Sequence, residues 1–187
     1  MTESRFDPRR VDIRSFAATA AHREDDTPVS DFLRLNESTL QLPGDVPPAT
    51  VHWAADGEER QSVGGAPEIW LHLHAQTDVT LECQRCLQPY RQPLMPERWF
   101  RFASDEDEAA RLDEESEDDV LVLTRWVDLL ELIEDELILS LPLVPRHDEC
   151  PQPLTVPDET APDETPAAHP FAALANWRRK GEGNAGE

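Results

Sequence analysis

The chain has 187 residues, of which 39 are acidic and 17 basic, and its formal net charge is −22. A charge of this sign and size repels phosphate backbones at long range and attracts basic proteins, which argues against non-specific nucleic-acid binding. The length suits one domain with tails, and 17 prolines against 7 glycines predict many extended and loop segments. We therefore expect one acidic domain, which we assign to residues 1–150.

The distribution of apolar residues gives no sign of a membrane or a secretory route. The first ten residues carry charge throughout and lack the apolar stretch of a signal peptide. The most apolar stretch, residues 120–144, is interrupted by six charged side chains, whereas a membrane-spanning helix needs about 20 largely apolar residues. Three cysteines do not fit a secreted disulfide framework, which usually pairs its thiols. These features predict a cytoplasmic protein without membrane contact.

The N-terminal third gives the weakest structural signals. Asp7 can cap a helix and Pro8 suits its first turn, so a helix is predicted over residues 9–21. The short apolar sequence FLRL predicts a strand at residues 32–35. Residues 43–65 are too rich in turn-forming residues for an assignment.

A clear strand pattern begins at Ile69. From Ile69 to Cys83 the odd positions are mostly apolar and the even positions mostly polar, a period of two typical of a strand with one buried face. The parity continues across residues 76–78, so the pattern fits either a turn there or one long strand. A further strand is predicted at residues 99–102, at an edge or after a bulge, because three prolines precede it.

An acidic segment and an amphipathic segment follow. Residues 104–119 contain ten acidic side chains and one arginine, and their mutual repulsion predicts a mobile acidic loop. A helix is predicted over residues 128–141, because Asp128 can cap it, Glu131 stands three residues on, and Pro142 ends it. Its apolar face comprises Leu129, Leu130, Ile133, Leu137 and Leu141, and its exposed face comprises Glu131, Glu134 and Asp135. We expect an α+β fold, with an antiparallel sheet or partial barrel over about residues 31–102 packed by this amphipathic helix.

The C-terminal residues read as a tether and a docking motif. Residues 151–168 are rich in proline and acid and lack a core pattern, which predicts a disordered tether. Residues 169–187 begin with a short amphipathic segment that has a basic end, a pattern typical of a recognition motif. The candidate partner-binding residues are Phe171, Leu174, Trp177, Arg178, Arg179 and Lys180.

Three cysteines and one histidine form the strongest candidate site. Cys83 and Cys86 make a CxxC pair, while His147 and Cys150 make an HxxC pair, and together they supply the ligands of a structural zinc site. The alternative is that Cys83 is a small buried residue ending a strand and Cys150 an incidental loop thiol. A redox pair is less expected, because a redox CxxC opens a helix in a βαβ unit, whereas this one follows a strand and precedes Pro89.

Other candidate sites are weaker. Carboxylates at the start of the predicted helix could bind Mg²⁺ for nuclease chemistry, but acids in the first turns of a helix ordinarily interact with its dipole. They are Asp128, Glu131, Glu134 and Asp135. His72 and His74 share one strand face without an obvious third ligand, so we interpret them as solvated. The sequence contains no glycine-rich phosphate loop, GxSxG or HExxH. We therefore assign no catalytic residue and expect no enzyme.

Three segments together resemble the YceD family, the large ribosomal RNA subunit accumulation proteins of bacteria and plastids. They are LECQRCLQPY at residues 81–90, VDLLELIEDELILSLPLVPRH at residues 127–147, and HPFAALANWRRK at residues 169–180, which is similar to the family ending NPFAVLxxLK. Order and spacing agree over nearly the whole chain, including the acidic insert, although His169 and Trp177 depart from the usual tail residues.

The resemblance implies a role in large ribosomal subunit biogenesis, through accumulation or processing of 23S rRNA, with no established catalytic activity. Genes of the family often neighbour the gene for a small basic large-subunit protein. A chain with a net charge of −22 suits binding of a basic ribosomal protein or pre-ribosomal particle better than binding of naked rRNA. We expect a non-catalytic factor that binds such a protein or an assembly intermediate.

Two alternatives remain open at this point. A direct rRNA-binding factor would use a basic stripe and lose affinity steeply with salt. The stripe would consist of Arg85, Arg91, Arg98 and Arg101. In the non-catalytic assembly hypothesis, Arg85 and Arg91 are the expected RNA-facing residues of the folded domain. A zinc-dependent or thiol-dependent enzyme would instead lose activity when Cys83 or Cys86 became serine, even with the fold intact.

Overall fold

A mixed sheet forms the centre of the molecule in the computed structural model, which describes residues 6–41, 49–62, 65–115 and 119–151. Its strands are β1 His22–Pro28, β2 Thr50–Arg60, β3 Glu68–Glu82, β4 Pro89–Leu94, β5 Glu97–Ala103 and β6 Asp119–Val122. Their spatial order is β1-β2-β3-β5-β6, with β4 paired to β3. All pairings are antiparallel except that of β5 with β6, which is parallel. The α+β class expected from the sequence is confirmed.

The period-two pattern after Ile69 forms one strand of 15 residues, with no turn at residues 76–78. Its odd-numbered side chains from Ile69 to Leu81 are buried, as the parity predicts. The first half of β3 pairs with β2 and β5, while the second half pairs with β4. Strand β3 therefore extends beyond the main sheet, and Cys83 lies at the end of the hairpin that β3 forms with β4.

The prolines that follow β3 lie in strand β4 and protect its edge. Cys83 N donates to Gln88 O at 3.0 Å, and hydrogen-bonded pairs alternate along an antiparallel ladder. At Pro89 and Pro93 the backbone nitrogen, which carries no hydrogen, therefore faces away from β3. Prolines at such positions block the pairing of a further strand. The strand predicted at residues 99–102 is β5, but it lies between β3 and β6 rather than at an edge.

Helices pack on the inner face of the sheet. They are α1 Ile13–Ala18, α2 Leu33–Glu37, α3 Glu106–Glu115 and α4 Leu129–Leu139, with a short 3-10 turn at Val29–Asp31. Helix α1 contacts β2 and β3, and α4 contacts β3 and α2. Gly57 lies where α1 crosses the sheet, and a Cβ there would come within 2.7 Å of the Phe16 carbonyl oxygen. No helix of the described ranges is long and apolar enough to cross a membrane.

Helix α4 confirms the amphipathic prediction. Asp128 accepts a hydrogen bond from Glu131 N at 3.1 Å, and the predicted apolar residues from Leu129 to Leu137 are buried. Glu134, however, is not on the exposed face, since it is only 9% exposed. Its carboxylate accepts hydrogen bonds from Arg34 N at 2.7 Å and Leu35 N at 3.2 Å. It therefore caps the start of α2 from a neighbouring helix.

The two N-terminal predictions need correction. The helix predicted over residues 9–21 covers only Ile13–Ala18, and Asp12 caps it by accepting from Ser15 N at 3.1 Å. Val11 forms an antiparallel bridge with Val127, which holds the chain extended just before the helix. Of the strand predicted at residues 32–35, residues 33–35 instead form the start of α2, because a distant carboxylate caps the backbone there. The unassigned residues 43–65 contain β2.

The predicted acidic loop is largely a helix. Asp105 accepts from Glu108 N at 2.9 Å, and Glu108 accepts from Ser104 N at 2.8 Å, a reciprocal capping arrangement. These backbone hydrogen bonds lower the pKa of both carboxyl groups. Arg111 pairs with Glu115 at 2.7 Å one turn later, and Leu112 is buried. The capping hydrogen bonds and the buried Leu112 stabilise the helix more than repulsion between its carboxylates destabilises it. Helix α3 then allows β6 to run parallel to β5.

Candidate functional site

The first half of the candidate site is a tight turn at residues 83–88, the cysteine turn. Leu87 N donates to Cys83 O at 2.8 Å, and Cys83 N donates to Gln88 O at 3.0 Å. Leu87 has a φ of 58°, a left-handed conformation that is uncommon for a residue other than glycine. The local hydrogen bonds hold that conformation, and they bring Cys83 and Cys86 to one end of the hairpin.

The second half comes from the chain that follows α4. Gln84 N donates to Pro145 O at 2.8 Å, which fixes this segment against the cysteine turn. His147 Nδ1 lies 3.4 Å from Cys86 Sγ, and Cys150 Sγ lies 3.9 Å from Cys83 Sγ. One ligand atom from each of the four residues predicted as metal ligands lies within 4.8 Å of all the others. The fold therefore joins the CxxC and HxxC halves.

The geometry and the ligand types fit a tetrahedral metal ion. Zinc–sulfur bonds of about 2.3 Å place two tetrahedral sulfur ligands about 3.8 Å apart. The observed separation of Cys83 and Cys150 is 3.9 Å. Three thiolates and one imidazole are soft and borderline ligands that favour Zn²⁺ over Mg²⁺ or Ca²⁺. Cys83 and Cys86 are buried, and the His147 ring lies 5.1 Å from that of Tyr90. The cluster can hold a metal ion.

The environment favours the anionic form of Cys83. Burial alone would raise the pKa of its thiol, but the backbone N–H groups of His147, Cys86 and Arg85 donate to the sulfur and bring the pKa down to about 5. This lowered pKa favours the thiolate, the form that binds metals. Burial and the neighbouring cysteines raise the pKa of Cys150 to about 11. A cation among the four ligands would favour loss of that proton as well.

The arginines of the predicted RNA-binding stripe are distributed over separate surfaces. Arg98 and Arg101 lie on opposite faces of β5, where Arg98 bonds Glu136 at 3.1 Å and Arg101 bonds Glu68 at 2.8 Å. Arg91 bonds Asp78 at 2.7 Å. Within the described residues, Arg85 is the member of the set whose guanidinium has no carboxylate partner. It is exposed on the cysteine turn, beside the candidate metal ligands.

The weaker candidate sites have structural partners. His72 Nε2 lies 2.9 Å from Glu97, and its ring stacks on Trp99 with centroids 4.3 Å apart. His74 is exposed on the same face of the sheet. At the start of α4, Asp128 accepts from Glu131 N at 3.1 Å, while Glu134 and Asp135 pair with Arg34 at 2.9 and 2.7 Å. Among the described residues, the cysteine–histidine cluster is the one group with metal-ligand geometry.

The structure contains two charged surfaces that the sequence analysis did not predict in this form. Helix α3 presents exposed carboxylates that have no basic partner within the described part of the chain; they are Glu106, Asp107, Asp113 and Glu114. Arginines also gather beside aromatic rings near the N-terminus. They come from distant parts of the chain, so no local motif indicates them. The acidic helix could have been found from Ser104, Asp105 and Glu108, whose spacing suits a cap.

Comparison with known proteins agrees with the resemblance seen in the sequence. The family model described as "Large ribosomal RNA subunit accumulation protein YceD" matches residues 71–177, a range that includes the candidate metal ligands and α4. This chain belongs to the YceD family. A Haemophilus influenzae protein named "Large ribosomal RNA subunit accumulation protein YceD" is 38% identical over 109 residues. That match covers 56% of this chain and 63% of the relative. No solved structure matches.

Proposed function

We propose that this chain supports the accumulation of large-subunit ribosomal RNA as a non-catalytic assembly factor. In this proposal it acts in the cytoplasm and binds a basic ribosomal protein or an assembly intermediate. Membership of the YceD family supports the link to large-subunit RNA. We infer the class of partner from the acidic surface of α3, because a basic ribosomal protein offers the complementary charge.

The acidic surface is well suited to attracting a partner. Its carboxylates lie on one regular element, and the single arginine of α3, Arg111, already bonds Glu115 at 2.7 Å. The chain as a whole carries a net charge of −22, so the surrounding field has the same sign. Such a field raises the rate at which a cationic protein meets this surface. It also disfavours a polyanionic partner at the same place.

Capture from cells with a matched pair of charge variants tests this proposal. The test variant combines Glu106→Gln, Asp107→Asn, Asp113→Asn and Glu114→Gln. The control combines Glu37→Gln, Glu59→Gln, Glu82→Gln and Glu131→Gln, which removes the same charge from exposed carboxylates elsewhere. After crosslinking, wild type and control should recover a basic large-subunit protein or a precursor particle, and the α3 variant roughly tenfold less. Equal recovery by both variants, or none by wild type, would sink the proposal.

We also propose that the cysteine–histidine cluster holds a structural zinc ion. The ion would join the end of β3 to the segment after α4 and stabilise both. Protein purified under reducing conditions should contain one zinc per chain, and Cys86→Ser or His147→Ala should lose it. The control is Gln84→Ala, an exposed position on the cysteine turn. Zinc-free wild-type protein of native stability would exclude this role.

The enzyme alternative makes a different prediction for the same variants. A structural zinc affects function only through folding, so a cysteine variant that stays folded at low temperature should still support rRNA accumulation. An enzyme would lose its function at every temperature. Measuring 23S rRNA levels in cells carrying Cys86→Ser, at a permissive and a raised temperature, separates the two. Loss at both temperatures with an intact fold would favour catalysis.

The C-terminal docking motif stays a proposal, since it lies outside the described residues. We propose that Phe171, Leu174 and Trp177 supply an apolar contact and that the basic residues 178–180 contact protein or rRNA. A chain truncated after residue 168 keeps all of the described fold. If the motif docks, this truncation should reduce recovery of the precursor particle while the basic protein bound by α3 remains.

A further inference from the structure

The arginines near the N-terminus differ from those of the sheet in their partners. Arg10 lies 5.3 Å and Arg125 lies 5.4 Å from the ring centre of Trp126. Arg23 lies 5.2 Å from the ring centre of Phe6. None of these three guanidiniums has a carboxylate of the described residues within ion-pairing distance. Within the described part of the chain, their positive charge is therefore not neutralised by an ion pair.

The tertiary structure assembles most of these residues around one groove, the arginine–aromatic groove, which is lined by Phe6, Arg10, Arg23 and Trp126. Arg125 contacts Trp126 beside that lining. Val11 and Val127 exchange backbone hydrogen bonds of 2.9 Å in both directions. That bridge places Arg10 next to Trp126, although they are far apart in sequence. Phe6 packs on Phe16 with ring centroids 6.3 Å apart, which anchors the other side. The groove measures about 500 Å³, within the roughly 300–1,000 Å³ typical of ligand sites.

The charge close to the groove differs from the strongly negative charge of the whole chain. Two carboxylates, Asp7 and Asp12, also line it. Each of them accepts a backbone hydrogen bond, from Arg9 N at 3.0 Å and from Ser15 N at 3.1 Å. Arg10 and Arg23 balance these two carboxylates in the lining, and Arg125, which contacts Trp126 beside it, adds a third guanidinium. Salt at physiological strength screens charges beyond about 8 Å, so nearby groups dominate the potential that a bound ligand meets.

We propose that the arginine–aromatic groove binds unpaired RNA. Trp126 is 42% exposed, and its ring can stack on a base, a contact that any base can make. Arg10, Arg23 and Arg125 are placed to bind the phosphates on either side of that base. A duplex offers no free base face, so it gains only the phosphate contacts. The RNA is thus recognised in single-stranded form.

This groove is separate from the surface that carries the proposed function. It is formed by the N-terminal residues, β1 and the segment before α4, whereas the proposed protein contact is on α3. It also differs from the arginine set predicted from the sequence, most of which bonds to carboxylates. RNA binding and protein binding can therefore fail independently.

Fluorescence anisotropy with a labelled unpaired RNA of about 10 nucleotides tests the proposal on the full chain. Trp126→Ala should weaken binding roughly 5- to 100-fold, the range expected for one stacked base, while Trp126→Phe should keep most of the affinity. Arg10→Ala and Arg125→Ala should weaken binding and reduce the salt slope by about 0.7 for each phosphate that the variant no longer binds. Arg91→Ala, which removes an ion-paired arginine, serves as the control and should bind like wild type.

Circular dichroism and thermal unfolding establish that each variant is folded before its affinity is compared. Binding that is equal in wild type and Trp126→Ala would overturn the proposal, as would tighter binding of a duplex than of unpaired RNA. An acidic peptide that binds wild type more tightly than RNA, with the same sensitivity to the arginine variants, would assign the groove to a protein partner instead. Groove variants should leave recovery of the basic ribosomal protein unchanged.

Discussion

Helices α3 and α4 begin in the same way but use their carboxylates differently. Each has an aspartate cap followed three residues later by a glutamate, Asp105 with Glu108 and Asp128 with Glu131. In α4, Glu134 and Glu136 are each 9% exposed and bond to arginines of other elements. In α3, the four carboxylates of the acidic surface face solvent.

The difference shows which charges hold the fold and which remain for partners. A buried carboxylate stays charged only if donors satisfy it, so α4 uses its acids to connect α2 and β5. An exposed carboxylate needs no internal partner, and its interaction with distant charges is weak in water. Substitutions of the buried acids of α4 should therefore change stability, and those of the exposed acids of α3 should change binding.

The largest effect is expected for Glu134→Ala. Removing this carboxylate leaves the amide groups of Arg34 and Leu35 without their acceptor, and Leu35 is fully buried. The expected loss is about 2–4 kcal/mol in the free energy of unfolding. Denaturant unfolding measures it, with Glu134→Gln as the matched control, since its amide oxygen can still accept from both N–H groups. Equal losses for alanine and glutamine would show that the ion pair, not the cap, matters.

A smaller loss is expected for Glu136→Ala. Its carboxylate bonds Arg98 at 3.1 Å, but the Arg98 side chain is 53% exposed and also lies 3.7 Å from Asp119. Water and Asp119 can replace the missing partner, so the free energy of unfolding should fall by only about 1 kcal/mol. The same denaturant titration checks this. A loss as large as that of Glu134→Ala would mean that burial of the carboxylate, rather than its capping of backbone N–H groups, determines the loss in the free energy of unfolding.

The four-charge variant of α3 should leave the midpoint of thermal unfolding nearly unchanged. Neutralisation removes favourable interactions with the helix dipole, but it also removes repulsion between like charges. The capping residues Asp105 and Glu108 are intact in this variant. A midpoint as low as that of Glu136→Ala would contradict the comparison, because it would show that the exposed acids of α3 support the fold.

The smallest effect concerns an exposed pair on the outer face of the sheet. Asp56 lies 2.7 Å from His22 Nδ1, and this hydrogen bond raises the pKa of His22. The pair contributes its stability below the ordinary histidine pKa and loses it as pH rises through the folded-state pKa. Asp56→Asn should lower the pKa of His22, as followed by NMR titration, with no resolvable change in unfolding. An unchanged pKa would remove Asp56 as the cause.

The sequence could predict elements whose signals are local. The alternation from Ile69 to Leu81 predicted β3, and the cap at Asp128 with its apolar spacing predicted α4. It could not predict the edges of the N-terminal helix, since the Val11–Val127 bridge joins distant parts of the chain. Nor could it place α2, whose cap comes from Glu134. The prediction of a mobile acidic loop at residues 104–119 was wrong, because the capping hydrogen bonds outweigh the charge repulsion.

The sequence by itself determined the ligand types of the candidate metal site and the family. Thiol and imidazole chemistry belongs to the residues, and the CxxC and HxxC spacings are readable in one dimension. Only the tertiary structure decided that these halves meet, because the long strand β3 and the segment after α4 must end at the same place. It also decided which charges are free, since an arginine's partner is set by which elements pack together. For that reason the groove around Trp126 could be recognised only in the folded chain.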